Sequence, residues 1–246
     1  MENVTVKSPN SKETYLYRIM PLCHFLQMLD SQKMYLPRVS QWEDPYELFL
    51  FKQHFVNSTG QEIDVLSQAS RIYGQCWSSV RKSDALWRIY SPDRLGVQIK
   101  TSVEKLNSLI EPQIGNGLYL RLGQVEYVSE KYLNNWITTL KMPMDNANLV
   151  NSLFIKRDSF SHEKEYRLIA WLADVDENNK PVACCPDHID LSIDDPLQII
   201  YEVNLDPRLT KEEAELLKNA IALRLGGKCR VSQSTLYKFK QHTIII

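Results

Sequence analysis

Residues 160–172 read FSHEKEYRLIAWL, a charged entrance running into an apolar, branched and aromatic stretch. Tyr166–Leu172 (YRLIAWL) is the strongest strand signal in the second half of the chain. The entrance carries Glu163 and Glu165 two residues apart. On an extended segment that spacing points both carboxylates to one face. Paired acids at a strand entry suit sugar-bond chemistry, one holding a ribose hydroxyl while the other orients or deprotonates a nucleophile. The competing reading is a solvated turn in which Glu163, Lys164, Glu165 and Arg167 are surface pairs of little energetic weight.

Outward from this stretch, helices and strands alternate irregularly. Toward the N-terminus, 14–19 (TYLYRI) reads as a strand, and Pro21 opens a helix whose face is Leu22, Phe25, Leu26 and Leu29. Residues 33–39 are extended, and Trp42-Glu43-Asp44-Pro45 is a turn. Segments 45–55 and 61–73 read as helices, 74–79 as a strand ending in a polar break, and Ser83 or Asp84 as the cap of a short helix. A strand over 95–100 and a helix from Val103 to Pro112 follow. Over 118–128 the alternation changes parity, and Gly123 is the natural place for a bulge or turn. Helices are predicted over 131–140 and 145–157.

Toward the C-terminus, 174–180 is a polar loop and 198–204 a strand. Thr210 and Glu213 form a capping box for a helix with Leu216, Leu217, Ala220 and Ile221 on its face, stopped by Gly226-Gly227. Strands at 229–232 and 236–246 complete the chain. Without a regular βαβ alternation, the expected class is α+β: a single compact domain over 14–246 with a mixed, mostly antiparallel sheet flanked by helices. Residues 1–13 read as a flexible N-terminal segment.

Composition narrows the function. The 246 residues carry 29 basic and 30 acidic side chains, a formal charge of −1, which removes the whole-molecule field of a general nucleic-acid or polybasic membrane binder. Five cysteines, an odd number with one adjacent pair, do not form an ordinary disulfide framework. The polar stretch from Glu2 to Glu13 lacks an apolar signal core, and no run reaches a spanning length. The expected location is cytoplasmic, with no membrane partner. Cys184, Cys185 and His188 form only part of a zinc pattern, so no metal is expected.

Three further places invite chemistry. Tyr17-Arg18 puts a cation inside an aromatic, apolar strand, where it either anchors a phosphate or lies on the solvent side of an edge strand. Trp87 and Tyr90 share a helix face and either stack on a flat ring or pack the core. Asp44 and Glu47 either brace the first-strand arginine or cap a helix.

As an ordered set, these motifs resemble the bacterial domain-of-unknown-function family 2971. The segments that carry the likeness are Leu16-Tyr17-Arg18, Met34-Tyr35-Leu36, Trp42-Glu43-Asp44-Pro45-Tyr46-Glu47, Cys76-Trp77-Ser78, Leu86-Trp87-x-x-Tyr90 with Gly96, Phe154-x-Lys156 and Glu163-x-Glu165-x-Arg167. Their order is similar in turn to the layout of ADP-ribosyltransferases. That resemblance implies NAD as substrate, with Arg18, beside Tyr17, anchoring a phosphate or ribose. It implies Ser78 supporting the nicotinamide ribose and Trp87 or Tyr90 stacking on the nicotinamide. Glu165 would hold the ribose 2′-hydroxyl and stabilise charge as nicotinamide leaves, and Glu163 would steer a macromolecular acceptor, protein or nucleic acid. The implied activity is an ADP-ribosyltransferase or NAD glycohydrolase, such as a bacterial toxin or anti-phage defence effector. Two other readings stay open: a non-catalytic nucleotide- or protein-binding module, and a nuclease using Asp44, Glu47 and the two late glutamates around magnesium.

Overall fold

A computed structural model of the chain describes residues 14–139, 146–175, 178 and 185–244. The segment 1–13, most of the 174–180 loop and Cys184 lie outside the described residues. The chain opens with β1 (Tyr15–Pro21), α1 (Leu22–Ser31) and β2 (Lys33–Pro37), then the two-residue strands β3 (Phe55–Val56) and β4 (Glu62–Ile63). Next come β5 (Ile72–Ser78), α2 (Asp84–Tyr90), β6 (Gly96–Ser102), α3 (Val103–Ile110), β7 (Leu118–Gln124) and β8 (Glu126–Val128). The second half holds α4 (Glu130–Thr139), α5 (Asn146–Ser152), β9 (Ile155–Arg157), β10 (Glu165–Leu172), β11 (His188–Ser192), β12 (Glu202–Leu205), α6 (Lys211–Arg224) and β13 (Arg230–Gln233).

Seven strands form one sheet in the order β13-β12-β6-β1-β5-β10-β7. Only β12 and β13 are parallel neighbours, so the sheet is mixed and mostly antiparallel, flanked by helices in a single α+β domain as expected. YRLIAWL lies inside β10, which pairs with β5 on one side and β7 on the other. One face of the sheet buries Leu16, Met20, Trp77, Leu168 and Val203 against apolar residues of α1, α3 and α6. On the opposite face a smaller cluster joins Ile72 and Ile169 to Val39, Leu48, Leu149 and Phe154.

Caps read from the sequence are in place. Ser83 accepts the Leu86 N–H at the start of α2, and Thr210 and Glu213 complete both halves of the capping box on α6. Gly226 and Gly227 end that helix with φ of +61° and +71°, a region open to glycine at little cost.

Other expectations fail for local reasons. Segments 45–55 and 61–73 are not α-helices. A 3-10 turn spans Pro45–Leu48, the Asn57 side chain folds a tight loop by accepting the Thr59 and Gln61 N–H groups, and a second 3-10 turn, Leu66–Arg71, leads into β5. Side chain-to-backbone bonds of this kind compete with helix. The predicted helix over 145–157 stops at Ser152, because Ile155–Arg157 pairs in parallel with β8. The parity switch falls at Val125, whose N–H bonds the Glu165 carbonyl, while Gly123 stays in the ladder opposite Arg167. On α6 the buried residues are Ala214 and Ile221, and Leu216 is 71% exposed. The predicted strand over 198–204 shortens to β12, after a 3-10 turn at Pro196–Gln198. Residues 236–244 form no strand, and Tyr237 meets Asp84 of α2 instead.

Candidate active site

The sheet is not evenly knitted. β1 pairs with β6 from Tyr15↔Ser102 through Pro21↔Gly96, and β5 with β10 from Glu165↔Ser78 through Trp171↔Ile72. Between β1 and β5 the register holds one pair, Tyr17↔Ser78. The strands therefore part, α2 packs beside the gap, and a cleft open to solvent results. Tyr17, Ser78 and Glu165 stand in register across β1, β5 and β10. All three line the cleft, together with Arg18, Tyr90 and Glu163. Six of the seven residues that the transferase resemblance implied thus meet, although they lie far apart along the chain.

Trp87 is the exception. It is fully buried and does not line the cleft. Three residues along a helix turn through 300°, so a neighbour at that spacing sits on the margin of the same face. Tyr90 occupies that margin, 43% exposed. Burial, with the Glu163 carboxylate nearby, raises its hydroxyl above the ordinary phenol range.

Arg18 lies on a central strand, so the edge-strand reading falls. Its Nη1 donates to the Cys76 carbonyl at 2.5 Å, while its buried Nε has no hydrogen-bond partner. Among the described residues no carboxylate lies within ion-pair distance of it. Burial lowers its pKa, outweighing the opposing pull of Cys76, Tyr90 and the Glu165 carboxylate. The Cys76 thiol, also in the cleft, is pushed up by burial and by the Glu165 carboxylate.

The acid turn is not an extended segment. Glu163 ends a 3-10 turn (Asp158–Glu163), Lys164 adopts φ +43° and ψ 57°, and Glu165 begins β10. A lysine in the left-handed region carries a cost of about 1–3 kcal/mol and persists where surrounding bonds hold it. Here the Ser78 hydroxyl donates to the Glu163 carbonyl at 2.5 Å, and the Ser79 N–H donates to the Lys164 carbonyl at 3.0 Å. The Glu165 N–H donates to the Tyr127 hydroxyl at 2.8 Å. The two carboxylates do share one place, through this kink rather than through strand alternation.

The solvated-turn reading also falls. Glu163, Glu165 and Arg167 are 7%, 4% and 0% exposed. Lys156 Nζ lies 2.8 Å from Glu163, 3.4 Å from Glu165 and 3.2 Å from Glu47. Arg167 Nη2 lies 2.6 Å from Glu47 and 3.1 Å from Glu165, and its guanidinium stands over the Trp42 ring at 4.5 Å. Burial alone would raise the Glu165 carboxyl, but Arg167 and Lys156 overcome it and hold the group below the usual carboxylate range. For Glu47 the balance is reversed: burial outweighs the same two cations and its carboxyl is raised. Burial works against the charge on Lys156 too, yet the Glu165 and Glu47 carboxylates keep its pKa above the ordinary value.

Lys156 stood in the sequence only as a letter of a family pattern, Arg167 as such a letter and as a surface partner in the solvated turn, and Trp42 and Tyr127 carried no chemical role. The usable signal was a charge inside an apolar run, Phe154-Ile155-Lys156 and Tyr166-Arg167-Leu168, the feature that marked Arg18. Asp44 braces Arg157 at 3.0 Å and accepts the Tyr46 N–H; it does not reach Arg18. A magnesium nuclease loses its centre, because the point where three carboxylates converge is filled by the Lys156 ammonium. Among the described residues no group of three or more His, Cys, Asp and Glu side chains is placed to hold a metal ion.

Known proteins give a partial match. The family described as "Protein of unknown function (DUF2971)" matches residues 86–168, from α2 through the acid turn into β10. Curated proteins include none that matches the chain. Solved structures of DarT from Thermus sp. 2.9 overlap most of it. The complex with ADP-ribosylated ssDNA shares 11% identity, covers 95% of this chain and 100% of its own, and has a TM-score of 0.41. The complex with NAD+ shares 10% identity, covers 93% and 99%, and has a TM-score of 0.40. Overlap this loose equates no positions, and the site stands on its own geometry. Among the described residues, no helix is long and apolar enough to cross a membrane.

Proposed function

We propose that the cleft takes NAD as its substrate and cleaves the bond between ribose and nicotinamide, passing ADP-ribose to a protein or nucleic-acid acceptor or to water. The observation that carries this reading is the polarity of the cleft. Behind the cleft wall, Glu47, Glu163 and Glu165 are ion-paired with Lys156 and Arg167, three carboxylates against two cations, leaving one negative charge in excess. In the same cleft Arg18 is a cation that no described carboxylate meets at ion-pair distance. NAD has the complementary pattern, a cationic pyridinium ribose joined to an anionic diphosphate.

The chain's own groups then divide the work. Arg18 binds the diphosphate, and its unbonded Nε is the donor to spare. Tyr90 offers a ring face at the cleft wall. Glu165, kept ionised, accepts a hydrogen bond from the ribose 2′-hydroxyl and opposes the positive charge that grows on the sugar as nicotinamide departs. Fixed charge aimed at a developing charge in a water-poor site is the largest single contribution in many enzymes. Glu163 orients the acceptor and takes its proton. Ser78 serves this arrangement through the Glu163 carbonyl it already holds. A purely binding module gives no reason to desolvate three carboxylates beside an open cleft. In a bacterial cytoplasm such an activity suits a toxin or an anti-phage effector.

The test is release of nicotinamide from NAD by the purified protein, followed chromatographically. Wild type turns over. Glu165→Gln loses about 100-fold or more in kcat, the usual loss for removing one such stabilising group, and Arg18→Gln raises KM for NAD. Absence of nicotinamide release, together with no thermal stabilisation by NAD, overturns the reading.

A further inference from the structure

We infer that Lys156 is the positioning residue of this site: its ammonium holds Glu163 and Glu165 together at one point of the cleft, and Glu47 is the buried counterweight that fixes the ammonium there. The inference rests on the proposed reaction for its catalytic consequence, but the positioning itself is a property of the chain.

Two carboxylates flanking a single residue repel, and burial strengthens the repulsion. Here they converge because a third group lies between them. An ammonium has three donor hydrogens, and Lys156 Nζ donates to Glu163 at 2.8 Å and to Glu165 at 3.4 Å, with the Glu47 carboxylate at ion-pair distance, 3.2 Å. A guanidinium is a planar fork and cannot serve three acceptors gathered around one point. The ammonium also stands over the Phe160 ring, 4.6 Å from its centroid.

The backbone delivers this lysine independently of the main sheet. β8 and β9 form a separate two-stranded parallel ribbon, and Tyr127 and Lys156 are register partners in it. From that one pair, the Tyr127 hydroxyl takes the Glu165 N–H and the Lys156 ammonium takes the two carboxylates. The ribbon thus grips the acid turn by its backbone and by its side chains. Glu47 arrives from a third direction, on the 3-10 turn that Asp44 caps, and ties Lys156 to Arg167. Removing Lys156 frees Glu163 and Glu165 to separate while leaving Arg18 and Tyr90 undisturbed.

Lys156→Met alone takes the cation from Glu163, leaves Glu47 and Glu165 with Arg167 alone, and is prone to unfold. The informative variant is therefore Lys156→Met with Glu47→Gln, which removes one charge of each sign, and Lys156→Arg is its partner, keeping charge but not geometry. Two readouts are taken on each. Carbon-13 carboxyl resonances of Glu163 and Glu165 are titrated without NAD, and kcat and KM are measured with it. In the double variant the Glu165 titration moves to higher pH, kcat falls about 100-fold and KM for NAD stays within threefold. Lys156→Arg recovers less than a tenth of the lost rate. An unchanged Glu165 titration in the folded double variant overturns the positioning role, as does wild-type kcat in either variant. If the wild-type protein releases no nicotinamide, the reaction is wrong, and the NAD-free titration still decides whether Lys156 sets the pair.

Discussion

On the sheet face that packs α1, α3 and α6, the strands present Leu16, Met20, Trp77, Leu168 and Val203. On the reverse face, residues one step along the same strands are Tyr17, Cys76, Ser78, Glu165 and Arg167. Both sets are largely removed from water, by different means. The first is closed by apolar contact, which is non-directional and tolerates substitutions of similar volume. The second is closed by bonds between named atoms, where each partner covers the desolvation of another. Buried ion networks of this kind add little net stability, so their presence beside an open cleft points to chemistry rather than to holding the fold.

The widest separation between the two faces comes from neighbours in β10. Arg167→Met leaves Glu47 and Glu165 with Lys156 as their only remaining cation and should cost about 3–5 kcal/mol. Leu168→Ala, one residue on, should cost about 2–4 kcal/mol through a cavity. Urea unfolding measures both. The distinguishing result is kinetic: at temperatures where each variant is folded, Leu168→Ala keeps its nicotinamide release and Arg167→Met does not. Equal activity in the two folded variants would erase the distinction between the faces.

The apolar face was the more legible one. Aromatic and branched residues in the short runs TYLYRI and YRLIAWL identified strands, and the capping box at Thr210 identified α6, because those signals are local. Gathering of Tyr17, Arg18, Ser78, Tyr90, Glu163 and Glu165 was implied by the resemblance to ADP-ribosyltransferases, whereas the residues alone marked only a charge or an aromatic placed against the pattern. Lys156 and Glu47 were not legible as partners. They come from a two-stranded ribbon and a 3-10 turn, neither of which has periodicity, and the ion pairs that bring them together span 7 to 120 residues. The same limit explains why 45–55 and 61–73 read as helices: a side-chain bond from Asn57 decides that loop, and composition alone does not show it.

Acid titration sharpens the comparison inside the charged face. Glu165 is held below its ordinary pKa, so its contribution to stability is present above the unfolded value of about 4.3 and is lost as pH falls through the lower folded value. Glu47 is held above its ordinary pKa, so the folded state binds its proton more tightly and stability falls as pH rises through that interval. The two slopes oppose each other. Unfolding free energies measured from pH 6 down to the acid limit should therefore fall less steeply for Glu165→Gln than for wild type, and more steeply for Glu47→Gln. Leu168→Ala should follow the wild-type slope. If both glutamine variants shift the slope in one direction, the opposed burial balances of the two acids are wrong.

The smallest effect lies on α6, where the helix is right and its inward face differs from the sequence reading. Leu216 and Leu223, seven residues apart, are 71% and 82% exposed, whereas Ile221 is 1% exposed in the large apolar cluster. The inward stripe follows the tilt of the helix against β12 and β13, which hydrophobicity along one segment does not encode. Leu216→Gln should change stability by less than about 0.5 kcal/mol, as for other exposed positions. Ile221→Ala should cost about 2–4 kcal/mol. Paired urea titrations decide it: a loss at Leu216 as large as that at Ile221 would mean that this leucine is covered in solution and that α6 presents a docking face.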